Sequence, residues 1–205
     1  MKEEVRHEEQ RKTCSFAIDA RHASRFTAIR KKQRREMEFW ALELARKSKG
    51  KITRAQARLE ARRQRPAMWP TLDEYVERAI RLRLAEDDLS GPWEPLTTAE
   101  EEEASLSGRG IGKNYKGRGR LVVRTYDLPS SLVNELRATA VRVSEAPLEE
   151  LEELGLLYNS LSYSEEEREQ RDALVERVFS AARIVREALE RYGPWPPDED
   201  PAPAS

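Results

Sequence analysis

Residues Gly108-Arg109-Gly110-Ile111-Gly112-Lys113-Asn114-Tyr115-Lys116-Gly117-Arg118-Gly119-Arg120 gather five glycines and five cations in one stretch. Glycines beside cations can cradle phosphate, because bare backbone N–H groups approach the anion closely. The spacing does not make a nucleotide site. A phosphate-binding loop needs Gly-Lys-Ser/Thr after four intervening residues, but Gly112-Lys-Asn-Tyr-Lys-Gly117 runs on into Arg118-Gly119. Gly108-Arg-Gly110 lacks the third glycine and the preceding strand of a dinucleotide fingerprint. Cys14, His7 and His22 are too few for a Cys/His zinc site, and a single cysteine forms no internal disulfide. His22, between Arg21 and Arg25, is expected at the surface, and Cys14 is expected as a small core residue. The acidic runs at 100–103, 149–153 and 165–169 are expected as helix starts or solvated faces. No catalytic, metal or cofactor constellation emerges, so the expectation is a non-enzymatic protein.

The remaining chemistry is charge. The chain of 205 residues has a formal charge of −1, but the charges are segregated. Residues 1–65 carry 20 Lys/Arg against 9 Asp/Glu, and residues 66–107 carry 3 against 11. Residues 108–144 carry 8 against 2, and residues 145–205 carry 6 against 16. Local fields of this kind, rather than the net charge, decide what binds. Arg outnumbers Lys 28 to 9, and the guanidinium fork suits phosphate and carboxylate alike. Charged residues form 37% of the chain, while Leu, Ile, Val and Phe total only 41, which favours exposed helices over a thick core. No apolar run reaches membrane-spanning length, and no apolar stretch follows the charged N-terminus. The expectation is therefore a cytoplasmic protein that does not engage a membrane.

The expected fold class is mainly α with one or two short β-strands. Thr13 to Asp19 alternates, with Cys14, Phe16 and Ile18 on one face and Thr13, Ser15 and Ala17 on the other. Residues 21–48 read as a long helix with Arg30, Lys31, Arg34 and Arg35 on its polar side. Capping boxes at Thr53 to Gln56 and Thr71 to Glu74 predict helices over roughly 54–64 and from Thr71 to about Glu86. Arg120 to Tyr126 is the strongest strand. A helix follows, with Leu132, Val133, Leu136, Ala140 and Val143 along its apolar stripe, and Pro147 is expected to break it. A short acidic helix should carry Leu148 to Leu157. A third capping box at Ser164 predicts the longest helix, running unbroken to about Tyr192. The expected organisation is a basic-then-acidic helical region at 1–89, a flexible linker at 90–119, a strand-plus-helices domain at 120–193 and a disordered tail at 194–205.

Gly91-Pro92-Trp93-Glu94-Pro95 matches Gly193-Pro194-Trp195-Pro196-Pro197 at four of five positions. Val76-Glu77-Arg78-Ala79-Ile80 and Val185-Arg186-Glu187-Ala188-Leu189 lie upstream of the two copies. Gly-Pro is a common helix stop, so either an internal duplication or two helices stopped alike accounts for this.

The run from Arg118 through Leu121-Val122-Val123-Arg124-Thr125-Tyr126-Asp127-Leu128-Pro129-Ser130 to Leu136 resembles the opening of a ribbon-helix-helix protein. The resemblance implies a basic arm and one short strand per protomer, two strands from two protomers pairing into an antiparallel ribbon. Such a ribbon enters the DNA major groove, alternate strand side chains reading bases while helix N-termini and the arm hold phosphates. The family's second helix would correspond to Phe179 to Tyr192, which arrives about 35 residues late, after an acidic insertion. Continuous alternation would place Arg124 on the face of Tyr126 and Leu128. A bulge near Tyr126-Asp127 would instead turn Arg120, Val122 and Arg124 to the groove. If the halves are duplicates, the strand at 13–19 pairs with that at 120–126 inside one chain. Asp19 then stands where a helix N-cap is needed.

The functional expectation is a small protein that binds double-stranded DNA, as a transcription regulator or a factor marking a DNA site. Arg118, Arg120 and Arg124 would lie at the DNA, with Lys113 and Lys116 on phosphates and Arg30, Lys31, Arg34 and Arg35 as a second phosphate-facing group. It would act as a homodimer or a pseudo-symmetric monomer. The alternative is a protein-protein interaction or structural protein whose basic and acidic blocks pair with each other or with a partner.

Overall fold

The computed structural model describes residues 10–49, 51–64, 69–107, 120–158 and 160–194. The order is β1 (Arg11–Asp19), α1 (Ala20–Lys47), α2 (Arg54–Gln64), α3 (Leu72–Leu84), α4 (Thr98–Ser107), β2 (Leu121–Pro129), α5 (Ser130–Glu153), α6 (Glu165–Val175) and α7 (Ala181–Tyr192). The protein is mainly helical, with one two-stranded antiparallel sheet among the described residues. Apart from α4, the same sequence of strand, long helix, helix, helix occurs twice.

The strands pair over nine residues in unbroken register, from Arg11 opposite Pro129 to Asp19 opposite Leu121. Ser15 faces Thr125 at the middle, and these two residues are themselves 110 apart in sequence. The same spacing relates Phe16 to Tyr126 and Ile18 to Leu128, all buried. The ribbon is sealed at both ends alike. The Ala20 N–H donates to the Arg120 carbonyl at 2.8 Å, and the Ser130 N–H donates to the Gln10 carbonyl at 2.8 Å. A pseudo-twofold axis therefore passes between Ser15 and Thr125, whose hydroxyls are 3.0 Å apart.

Each half supplies what the other must bury. Phe16, Ile18, Phe26, Val76 and Ile80 from the first half and Tyr126, Leu128, Leu132, Leu136, Val185 and Leu189 from the second form one core. The Phe16 and Tyr126 rings stack with centroids 6.4 Å apart. Val76, Ala79 and Ile80 of α3 match Val185, Ala188 and Leu189 of α7 in spacing, and all six are buried. The described residues of 1–89 and of 120–193 thus contribute to a shared interior. A smaller cluster of Leu151, Leu156, Leu174 and Val175 joins α5 to α6.

Several expectations require correction. The alternation in β2 is continuous, without a bulge, because a two-sided ribbon pairs both strands from end to end. Pro147 does not end α5; the helix runs to Glu153 with Pro147 buried. Packing of Leu148 and Leu151 into the smaller cluster offsets the hydrogen bond that a mid-helix proline removes. The long helix expected from Ser164 divides into α6 and α7. Ser144 Oγ takes the Phe179 N–H at 2.8 Å and donates to the Phe179 carbonyl at 3.0 Å, holding that backbone outside a helix. Ser180 then caps α7 through the Arg183 N–H at 3.1 Å. Arg183 itself donates to the Glu176 and Val178 carbonyls at 2.7 and 2.9 Å, satisfying groups that the break would orphan. Within 90–119, α4 forms behind a capping box of Thr97 and Glu100. Glu100 also meets Arg142 of α5 at 2.6 Å. The Gly/Arg-rich part, 108–119, and all but Pro194 of the expected tail lie outside the described residues.

Candidate nucleic-acid interface

One face of the ribbon lies on the core. The other presents Arg11, Thr13, Ser15 and Ala17 from β1 and Leu121, Val123, Thr125 and Asp127 from β2, since alternate residues of a strand share a face. Thr13, Ser15, Val123, Thr125 and Asp127 are exposed. Val123 is 69% exposed, unusual for a Val in the middle of a strand. The face is short-chained and polar, and two strands wide. That is the width a B-DNA major groove admits.

The two ends of the ribbon differ in charge. At one end Asp127 receives Arg11, with Nε 3.4 Å from its carboxylate, and the same Arg11 lies 3.7 Å from Glu77 of α3. The Asp127 N–H donates to Asp73 at 3.3 Å. At the other end Arg186 of α7 donates to the Ala17 carbonyl at 3.3 Å, where the pseudo-symmetric position on α3 is Glu77. Arg21 bridges Asp19 and Glu190 at 3.1 and 3.6 Å, and Arg120 is exposed beside them in sequence register. Asp19, 1% exposed, caps α1 by accepting the Arg21 N–H at 2.8 Å, as the duplication reading anticipates. Its counterpart Pro129 has no side chain that can do so, and α5 starts without a side-chain cap.

His22 departs from its expected surface position and is 2% exposed. By the 110-residue offset it occupies the position that Leu132 occupies in the second half, and both are buried. Its Nε2 lies 2.9 Å from a Glu190 oxygen. Burial outweighs the attraction of Glu190 and Asp19 and holds the imidazole below its ordinary pKa. Cys14 is half-buried on the core side of β1. Burial pushes the Tyr126 phenol up to about 12, and its hydroxyl has no hydrogen-bond partner among the described residues.

Of the residues singled out in the sequence, Arg120 stands at the entry to β2. Arg124 is exposed but sits on the core side of the ribbon, opposite Phe16, and Val122 shares that side. Neither lies on the outer face that a bulge would have given them. Arg30, Lys31, Arg34 and Arg35 are exposed on α1. Lys31, Arg34 and Arg35 gather with Glu38, Phe39 and Leu42 around an open cleft, away from the ribbon in sequence. Lys113, Lys116 and Arg118 lie outside the described residues. The outer set Thr13, Ser15, Val123, Thr125 and Asp127 was not singled out as a site, although the alternation at 13–19 already placed Thr13, Ser15 and Ala17 together.

Comparison with protein-family models, curated proteins and solved structures finds no match to this chain.

Proposed function

We propose that the protein binds double-stranded DNA by laying its single-chain ribbon in the major groove, in the manner of a ribbon-helix-helix protein. The observation that carries this reading is the symmetric nine-pair ribbon, sealed by matching hydrogen bonds at its two ends, with its outer face exposed. One chain then supplies both strands that the ribbon-helix-helix arrangement draws from two. The outer face offers hydroxyls at Thr13, Ser15 and Thr125 that hydrogen-bond to any base edge. Asp127 is an acceptor suited to the cytosine amino group, and Val123 and Ala17 are apolar contacts for a thymine methyl. Pseudo-symmetric positions carry different side chains, Thr13 against Val123 and Ala17 against Asp127. The bound site is accordingly not a palindrome. Arg120, Arg124 and the cations Lys113, Lys116 and Arg118 that precede β2 in sequence supply phosphate contacts, which position the ribbon without reading bases. Regulation of transcription or marking of a site would follow from such binding.

The test is fluorescence anisotropy with random duplex at about 50 and 200 mM salt, followed by selection from a randomised pool. Binding should weaken steeply with salt, and selection should return one asymmetric motif. Val123→Ala and Thr125→Ala should relax preference at central base pairs with random-duplex affinity unchanged, whereas Arg120→Ala should weaken all duplexes evenly. No binding at either salt, or full sequence preference in the Val123 and Thr125 variants, overturns the reading.

A further inference from the structure

The pseudo-twofold leaves each half with a helical arm beyond the shared core: the C-terminal part of α1 with α2, and the C-terminal part of α5 with α6. The arms are built alike but charged oppositely. Residues 30–64 hold 13 Lys/Arg and 4 Asp/Glu, while the equivalent residues 140–174 hold 3 and 10. Both arms also expose large apolar side chains. The basic arm shows Phe39 (64%), Leu42 (45%) and Leu59 (72%), and the acidic arm shows Leu154 (45%), Tyr158 (65%) and Leu161 (96%). These are six of the nine exposed large hydrophobic residues among those described, so apolar exposure concentrates on the arms. Within its own chain the basic arm meets little of the opposite charge. Arg58 pairs with Glu38, Lys47 with Glu43 and Arg63 with Glu60, but Lys31, Arg34 and Arg35 around the Phe39–Leu42 cleft make no ion pair among the described residues. In the acidic arm Glu150 pairs with Arg177, whereas Glu149, Glu152 and Glu153 beside Leu154 make no ion pair among the described residues.

We propose that the chain associates head to tail with a second copy of itself, the basic α1–α2 arm of one copy seating on the acidic α5–α6 arm of the next. Two arms of one kind would oppose like charges, which disfavours a contact of either arm with its own counterpart. An apolar centre rimmed by complementary charge fits the anatomy of a specific interface. The contact is heterologous: each copy presents a donor and an acceptor arm, so association closes into a ring or continues as a chain. The inference does not depend on DNA binding by the ribbon, because it uses neither the ribbon nor its flanking cations.

The experiment is sedimentation of the full chain, freed of nucleic acid. The mass should exceed the 23.7 kDa of one chain at low salt and return to it as salt rises. The doubly reversed variants Arg34→Glu/Arg35→Glu and Glu152→Lys/Glu153→Lys should each lose at least about tenfold in self-affinity. Both pairs are exposed, and unchanged urea melts will show that the variants fold. Mixing the two variants should restore association, because each retains one native arm and the reversed arms complement each other. A wild-type chain that stays at 23.7 kDa at low salt up to about 100 µM, well above typical weak-interface affinities, overturns the proposal. So does either variant associating like the wild type, or a mixture that stays monomeric.

Discussion

Arg83 is the most telling side chain to remove. It lies on α3, is 1% exposed, and joins the two halves across the α3–α7 contact. Its guanidinium forms a fork with Asp88, both bonds 2.7 Å, and donates to Glu187 of α7 at 3.1 and 2.7 Å and to Glu86 at 3.3 Å. Burial works against the charged form, but the bonds and attraction of Asp88 and Glu187 outweigh it and raise the guanidinium pKa. Arg83→Met keeps most of the stem's volume and deletes the charge. Breaking a buried pair by removing one partner generally costs about 3–5 kcal/mol, through the charges left behind. Here those charges have other recourse. Asp88 is 51% exposed and can hydrate, Glu187 keeps Arg183 at 2.8 Å, and Glu86 keeps Arg191 and Tyr192. The expected loss therefore falls just below that range, at about 2–3 kcal/mol. For a chain of this length that corresponds to a fall in Tm of roughly 5–10 °C. Urea melts should show a lower midpoint with an unchanged slope. A loss under about 1 kcal/mol, the size of an exposed ion pair, would refute the reasoning that Arg83 clamps the halves together.

His22 gives a pH signature. Its folded pKa lies below the unfolded value of about 6.5, so the unfolded chain takes up the proton more readily. The stability it contributes is complete above about pH 6.5 and declines as pH falls toward the folded value. Melts at pH 7.5 and 5.5 should show a drop that His22→Gln diminishes; an equal drop in the variant would assign the effect to other groups. Asp19→Ala should cost about 1–2 kcal/mol, because it uncaps the longest described helix at a buried site and leaves Arg21 with Glu190 in place of two carboxylates. A chemical melt within about 0.3 kcal/mol of wild type, well below the ordinary worth of a cap, would contradict that cap's role.

How much was legible in the sequence varies with the range of the forces. Period-two alternation at 13–19 and 120–126 is local, and the structure extends both strands only slightly. The intrachain pairing could be framed only as one alternative, since nothing local forces residues 110 apart to meet. Asp19 was readable as a cap because capping is a matter between neighbours. The break at 176–180 was not, because Ser144 makes it from a different helix, and helical periodicity runs through the gap undisturbed. Pro147 misled for the same reason in reverse, tertiary packing overriding a local breaker. His22 looked superficial between two arginines, yet its equivalence to Leu132 becomes visible only once the two strands are superposed by register. The outer ribbon residues were hidden by the attraction of Arg124 as a reader, and only unbroken pairing assigns it to the other side.

Pairing strands 110 residues apart also sets an order of events during synthesis. At about 5–20 residues per second, β1 waits roughly 5–20 s for β2 to be made, whereas hairpins close in microseconds. Through that interval its edge is unpaired, and Phe16, Ile18 and Phe26 have no second half to cover them. A finished neighbour with an unpaired β2 can capture it, giving an exchanged dimer with every native contact intact. Entangled products of this kind are the misfolding route this topology favours.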